Sequence, residues 1–208
     1  MGRWEPNGRE RLAKAALELY GERGFEQTTV AEIAKRAGLT ERTFFRHYAD
    51  KREVLFAGSG ELERRFTEAV ADAPLAAAPL DALAAGLDAV CETFEELREF
   101  AGKRHAVISA TAELRERELI KLASLAAALA DTLRRRGVPE PAASLTAETG
   151  VAVFKVAFER WITADERRPL VQLARDSLEQ LKTVAMGGAP TGAAGGAAPA
   201  PAEASPGG

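Results

Sequence analysis

The segment from Thr28 to Tyr48 admits few folds, because it holds two short helical stretches separated by a single glycine. Thr29 followed by Glu32 forms a capping box, in which hydroxyl and carboxylate satisfy the free amides at a helix start. Ile33 and Ala37 then lay an apolar stripe on one face, and the small Ala34 lets a second helix cross closely. Gly38 can take the left-handed conformation that ends this helix, and Leu39 fills the corner. Thr40 caps the following helix, where Phe44 and Tyr48 lie one turn apart and face inward. The pattern is a helix-turn-helix.

What remains on the second helix points away from that core: Glu41, Arg42, Phe45 and Arg46. Arg42 and Arg46 stand at i,i+4, a like-charge pair that costs about 0.2–0.5 kcal/mol in an isolated helix. Phe45 is a large ring with no inward partner at helical spacing. A solvated helix gains nothing from either choice, whereas a helix in a DNA major groove gains from both. Arginine meets guanine edges or phosphates there, and the ring meets thymine methyls. Asp50 and Glu53 read as a second capping box, yet Lys51 and Arg52 occupy its first turn, where the helix dipole disfavours cations. A phosphate at that helix start reverses the sign.

Charge is distributed to match. Residues 1–52 carry 11 Lys and Arg against 8 Asp and Glu, a balance of +3, and the remainder carries −6 within a total of −3. A basic module ahead of an acidic one suits a chain whose N-terminal part alone meets phosphate. Cys91 is the single cysteine, and His47 and His105 are the only histidines, so no disulfide framework, metal site or cofactor is expected. No nucleophile–base pair is visible, which argues against an enzyme. No apolar run reaches bilayer length and no signal-peptide core is present, so the expectation is a cytoplasmic protein with no membrane partner.

The expected fold class is all-α: an N-terminal three-helix helix-turn-helix DNA-binding domain, then a larger helical ligand-binding and dimerisation domain. The boundaries are a flexible arm over 1–8, the DNA-binding domain over 9–52, the helical domain over 53–185 and a disordered Gly/Ala/Pro tail over 186–208. Helix 1 runs from Arg9 to Gly24 on the repeat of Leu12, Ala16, Leu19 and Tyr20. A long helix is expected from Lys51 to about Ala73, stopped by Pro74. Further helices cover Leu80 to Leu97, Phe100 to Ala110, Thr111 (as cap) to Arg136, and Ala142 to Ala164. A last helix begins near Pro169.

From about Arg9 to Phe56 the chain resembles the TetR family of bacterial transcriptional regulators. The resemblance rests on Ala16 to Phe25, Thr28-Thr29-Val30, Ile33-Ala34, Ala37-Gly38-Leu39 and Phe44-Phe45-Arg46-His47-Tyr48 with Lys51, without a gap. It implies a nine-helix Ω-shaped homodimer, with helices 8 and 9 in a four-helix bundle and a ligand pocket among helices 4 to 8. By position it also implies that Thr29, Thr40, Thr43, His47 and Lys51 contact phosphates. Glu41, Arg42, Phe45 and Arg46 then read bases or line the groove. The family often has tyrosine where Phe45 stands, so a phenol–phosphate bond is lost here. Thr111 to Glu118 resembles a subgroup associated with acyl-CoA-like effectors, including mycofactocin regulators, although that subgroup usually has proline where Ala112 stands.

The expected function is sequence-specific repression from a palindromic double-stranded operator, relieved by a small hydrophobic or amphipathic effector; an activator and an architectural DNA-binding protein are the alternatives. Two recognition helices must lie about 34–36 Å apart, or a multiple, to enter successive major grooves. Candidate ligand-binding residues are Phe66, Phe94, Arg104, His105, Ile108, Leu122, Phe154 and Phe158, with Arg104 able to hold an anionic head group. Candidate homodimer-interface residues are Trp161, Leu170, Leu173, Leu181 and Val184. Periodicity alone does not separate core, interface and pocket wall for the aromatic residues. His105 reads either as a core histidine or as a ligand contact, and Cys91, beside Val90 and Phe94, reads as inert packing.

Overall fold

The computed structural model describes residues 8–163 and 168–188. Nine α-helices account for the fold among them, with no strand. They are α1 (Gly8–Arg23), α2 (Val30–Arg36), α3 (Glu41–His47), α4 (Ser59–Asp72), α5 (Pro79–Cys91), α6 (Arg98–Ala110), α7 (Ala112–Arg135), α8 (Ala142–Thr163) and α9 (Leu170–Ala185). The arm expected over 1–8, apart from Gly8, and nearly all of the tail expected over 186–208 lie outside the described residues.

Two apolar cores divide the chain. Leu12, Ala16, Leu19 and Tyr20 of α1 close on Ile33, Phe44 and Tyr48, and so build the N-terminal core. The second core gathers Phe66, Leu83, Leu87, Leu129, Phe154 and Trp161 with Leu170 and Leu173. Val54, Leu55 and Phe56 belong to the first core, together with Ile108 and Leu114 from α6 and α7. The N-terminal packing unit therefore extends past residue 52 and is continuous with α6 and α7.

That partition explains why the long helix expected from Lys51 is absent. Glu53–Phe56 forms a 3-10 turn, and α4 starts afresh at Ser59. Val54 to Phe56 are buried toward the first core, whereas Phe66 and Val70 are buried in the second, so the chain changes face between them. Gly58 and Gly60, poor helix formers, stand at the break. The helix expected over Leu80 to Leu97 also divides, since α5 ends at Cys91 and Glu92–Leu97 is 3-10.

Caps follow the sequence unevenly. The Thr29–Glu32 box is complete, and Thr40 Oγ1 accepts from the Thr43 amide at 3.2 Å. Gly38 takes φ 66°, and the Arg11 guanidinium donates to the Ala37 carbonyl at 2.6 Å beside it. Only half of the second box forms: Asp50 Oδ1 accepts from the amides of Arg52 and Glu53, at 2.8 and 3.1 Å, while the Glu53 carboxylate turns to α7. The Thr111 side chain makes no cap bond. At α9 the carboxylate of Glu95 accepts from the Leu170 amide at 2.7 Å, a long-range cap that sequence order conceals.

Two helix pairs approach closely because a glycine lies at the crossing. A Cβ at Gly86 would stand 2.5 Å from Phe66, and one at Gly150 would stand 2.5 Å from Leu83. The Arg136 guanidinium donates to the carbonyls of Ala71, Ala73 and Pro74, joining the ends of α4 and α7. The basic end of α7 is thereby used internally.

Candidate nucleic-acid interface and ligand cavity

The outward face of α3 is held rigidly and left open. Phe44 is fully buried, and Tyr48 donates its hydroxyl to the Arg9 carbonyl at 3.0 Å, so the inner side of the helix cannot turn. Phe45 is 56% exposed. Glu41, Arg42 and Arg46 are exposed beside it, and among the described residues the structure gives none of their side chains an ionic partner. The neighbouring acids are occupied elsewhere. Arg36 takes Glu22 bidentately at 2.9 and 2.8 Å, and Arg23 takes Glu32 at 2.7 Å. Thr40 and Thr43 are joined hydroxyl to hydroxyl at 3.0 Å at the start of α3. Thr29 is exposed at the start of α2, its hydroxyl already inside the capping box, and His47 is half-buried at the end of α3.

Lys51 departs from the expected surface cation. Its ammonium donates to the carbonyls of Phe25, Glu26 and Thr28 at 2.9, 3.4 and 3.1 Å, and lies 4.3 Å from the Phe25 ring centre. Three donors on three carbonyls leave none for a phosphate without breaking one of these bonds. The Arg52 guanidinium is likewise engaged, by Asp50 and by Glu113 of α7, both at 2.6 Å. The Arg52 guanidinium first, then the amides of Glu53 and Arg52, hold the Asp50 carboxyl below its ordinary pKa against the opposing effect of burial. The sequence argument from two unexplained cations therefore rests on residues that have intramolecular partners.

A cavity of about 720 Å³ opens between α4, α6, α7 and α8. Phe94, Arg104, His105, Leu122, Phe154 and Phe158 line it, with Leu97, Phe100 and Leu125. Phe94, Phe154 and Phe158 pack in tilted and edge-to-face pairs at 5.8–5.9 Å between ring centres, and Trp161 adjoins Phe158 at 5.9 Å. His105 faces Phe158 edge-on and shares a bond with Ser109 at 3.2 Å. Two expected lining residues lie elsewhere. Phe66 is fully buried against Gly86 and Val70, and Ile108, one turn beyond Arg104 on α6, is fully buried in the N-terminal core.

Charge gathers at one end of this cavity. The Arg104 Nε donates to the Leu55 carbonyl at 2.6 Å, and its guanidinium lies over the Phe56 ring and 3.5 Å from Glu118. Burial lowers the Arg104 pKa from its ordinary value, and Glu118 opposes that shift. Glu53 receives Arg117 Nε at 2.6 Å and Lys121 at 3.4 Å. Cys91 lies outside the cavity wall, and burial, then its acidic neighbours, pushes its thiol up to about 12. It is an inert packing residue.

The expected homodimer surface needs correction. Trp161, Leu170 and Leu173 are buried inside the second core, at 1%, 0% and 3% exposure, because α8 and α9 pack on each other and on α5 with these residues inward. Leu181 and Val184 remain exposed on α9. Exposed on α8 are Leu145, Ala152 and Val156, residues the sequence reading passed over. Their spacing of seven and four places them on one helix face, a signal present in the sequence but masked by the larger rings of the inner face.

Residues 12–57 match the family described as bacterial regulatory proteins, tetR family. The regulator TcmR of Streptomyces glaucescens is 38% identical over 82 residues, 39% of this chain and 36% of its own length, so the match spans little more than a third of that relative. MftR of Mycobacterium tuberculosis, named for the regulation of mycofactocin biosynthesis, is 27% identical over 166 residues, covering 78% of this chain and 83% of its own. The transcriptional regulator FadR from Bacillus subtilis, solved in complex with stearoyl-CoA, superposes with a TM-score of 0.60 at 21% identity, covering 83% of this chain and 96% of that one. Among the described residues no helix is long and apolar enough to cross a membrane. The helix-turn-helix in front thus carries the likeness to the tetR family of bacterial regulatory proteins, and the all-helical architecture as a whole is like that of the FadR structure.

Proposed function

We propose that the chain is a cytoplasmic, homodimeric repressor that binds a palindromic operator and leaves it when a hydrophobic or amphipathic effector enters the cavity. The observation that carries the DNA-binding reading is the outward face of α3. Arg42, Phe45 and Arg46 stand exposed on a helix locked from behind, without ionic partners among the described residues. Glu41, Arg42, Phe45 and Arg46 are assigned to bases and groove walls, and Thr29, Thr40, Thr43 and His47 to phosphates. Lys51 acts mainly as an internal brace. The domain division follows the same assignment, with 53–56 serving as the joint between the DNA-binding helices and the ligand domain.

The effector reading is supported by the cavity's volume and its aromatic lining, both typical of small-molecule sites. Acyl-CoA thioesters fall in the amphipathic class, and stearoyl-CoA is what the FadR structure holds; size and lining are the support here. Dimerisation is assigned to the exposed stripe of Leu145, Ala152 and Val156 with Leu181 and Val184. A coupling of about 1–3 kcal/mol lowers operator affinity roughly 5–150-fold. Fluorescence anisotropy with the duplex flanking the chain's own gene tests the whole reading. Tight, salt-sensitive binding that a random duplex does not match, and that an amphipathic ligand weakens, is expected. Equal binding to both duplexes leaves an architectural protein instead, and an effector that tightens binding makes it a co-repressed or activating regulator.

A further inference from the structure

The residues that fasten the 53–56 turn are also residues of the cavity wall. Arg104 and Lys121 both line the cavity. Arg104 holds the Leu55 carbonyl, and Lys121 reaches the Glu53 carboxylate at 3.4 Å. Leu55 and Phe56 line the same end. Glu53 is thus a carboxylate seated on the turn that joins the two cores, held from across the domain boundary by α7.

Donors exceed acceptors at this end. Lys121 has three N–H groups and one long contact, and Arg104 has five, of which one makes a short bond and one a contact at 3.5 Å. The opposite wall has the reverse character. Glu63 of α4 is half-buried on the cavity with no side-chain partner among the described residues, and Glu61 is already taken by Arg64 and Arg65. With Arg65 paired to Glu61, Glu63 leaves the α4 wall net negative, whereas Arg104 and Lys121 set against Glu118 leave the α6–α7 wall net positive, so an anion is favoured at the second wall.

We infer that this end of the cavity is an anion subsite, in which a carboxylate or phosphate on an apolar chain competes with Glu53 for Lys121 and with Glu118 for Arg104, and so unfastens the 53–56 turn from α7. The inference rests on the ligand-responsive reading proposed above and assigns it a head-group class and a trigger. The apolar chain lies along Phe94, Phe154 and Phe158, and the anion takes the spare donors. Lys121 loses its partner on the turn, and Glu53 keeps only Arg117. Neutral ligands of the same shape fill the aromatic end without touching the fastening.

Decanoate and 1-decanol form the matched probe pair, measured by calorimetry without DNA, with amide hydrogen exchange at residues 53–56 as the second readout. The wild type is expected to bind decanoate at least about tenfold more tightly than decanol, and exchange at 53–56 to rise with decanoate alone. Lys121→Met, which keeps the aliphatic stem, should abolish that preference and leave decanol binding unchanged. Glu53→Gln should bind decanoate several-fold more tightly, since the resident competitor is weakened, and show raised exchange at 53–56 without ligand. Equal affinities for the two probes in the wild type, binding of neither, or a decanoate preference that survives Lys121→Met overturns the inference. Decanoyl-CoA in a parallel arm shows whether the anion is a carboxylate or a thioester's phosphates. These measurements use no DNA, so a failure of the operator-binding reading appears separately, as absent operator binding beside an intact anion preference.

Discussion

Arg42 and Lys51 are both cations near the helix-turn-helix, and the structure gives them opposite surroundings. Arg42 is exposed on α3 without an ionic partner among the described residues, free to form a bidentate contact with a base edge. Arg42→Ala is expected to cost about 1–3 kcal/mol of operator affinity and to relax base choice at one position per half-site, with the fold unchanged. Affinity measured across operators substituted at each position checks it. Lys51 instead bonds three carbonyls. Lys51→Met should lower thermal stability by about 1–3 kcal/mol, the loss of charge-assisted bonds at half-buried carbonyls, as read by calorimetry without DNA. An unchanged melting point would return Lys51 to the phosphate role that its position in the sequence suggested. The sequence carried the Arg42 reading because a solvated helix gains nothing from its spacing with Arg46. It concealed Lys51 because its partners lie 23 to 26 residues away.

At the scale of elements, helix interiors were legible and joints were not. The Thr29–Glu32 box, the Gly38 turn and the apolar repeat of α1 are local patterns, and they appear as expected. The break at Gly58, the fastening of Glu53 to α7 and the Glu95 cap on α9 depend on which core each residue enters, which periodicity within one helix does not encode. The cavity was legible in part. Six of its expected residues line it, but Phe66 and Ile108 face cores that the same periodicity serves equally well. Close crossings give a sharp test. Gly86→Ala places a methyl 2.5 Å from the Phe66 ring and should destabilise by about 1–3 kcal/mol through overpacking. Gly102 of α6 has nothing within 4 Å of a Cβ, and Gly102→Ala should stabilise by about 0.5–1 kcal/mol through helix propensity. Denaturant midpoints of the two variants should move in opposite directions, and a common direction would contradict the packing described.

At the scale of the molecule, the helix-turn-helix core is joined to the second core by packing and by charge. Ile108 and Leu114 lend α6 and α7 to the N-terminal core, so a shift of those helices is felt at α3. The reading of Leu170 and Leu173 as a dimer seam failed because both complete the protomer's own core. Val156→Asp with Val184→Asp should therefore yield a folded monomer with an unchanged helical spectrum, whereas Leu173→Asp should unfold the chain. Sedimentation of the double variant as a dimer would move the interface elsewhere.

The central claim, that paired α3 faces read DNA sequence, is tested most directly by selecting duplexes from a randomised pool with the full chain. The account predicts enrichment of a palindrome whose half-site centres lie about 34–36 Å apart or a multiple of that distance, lost with Arg42→Ala. A pool that emerges without sequence preference, or with a single half-site and no symmetry, would contradict it.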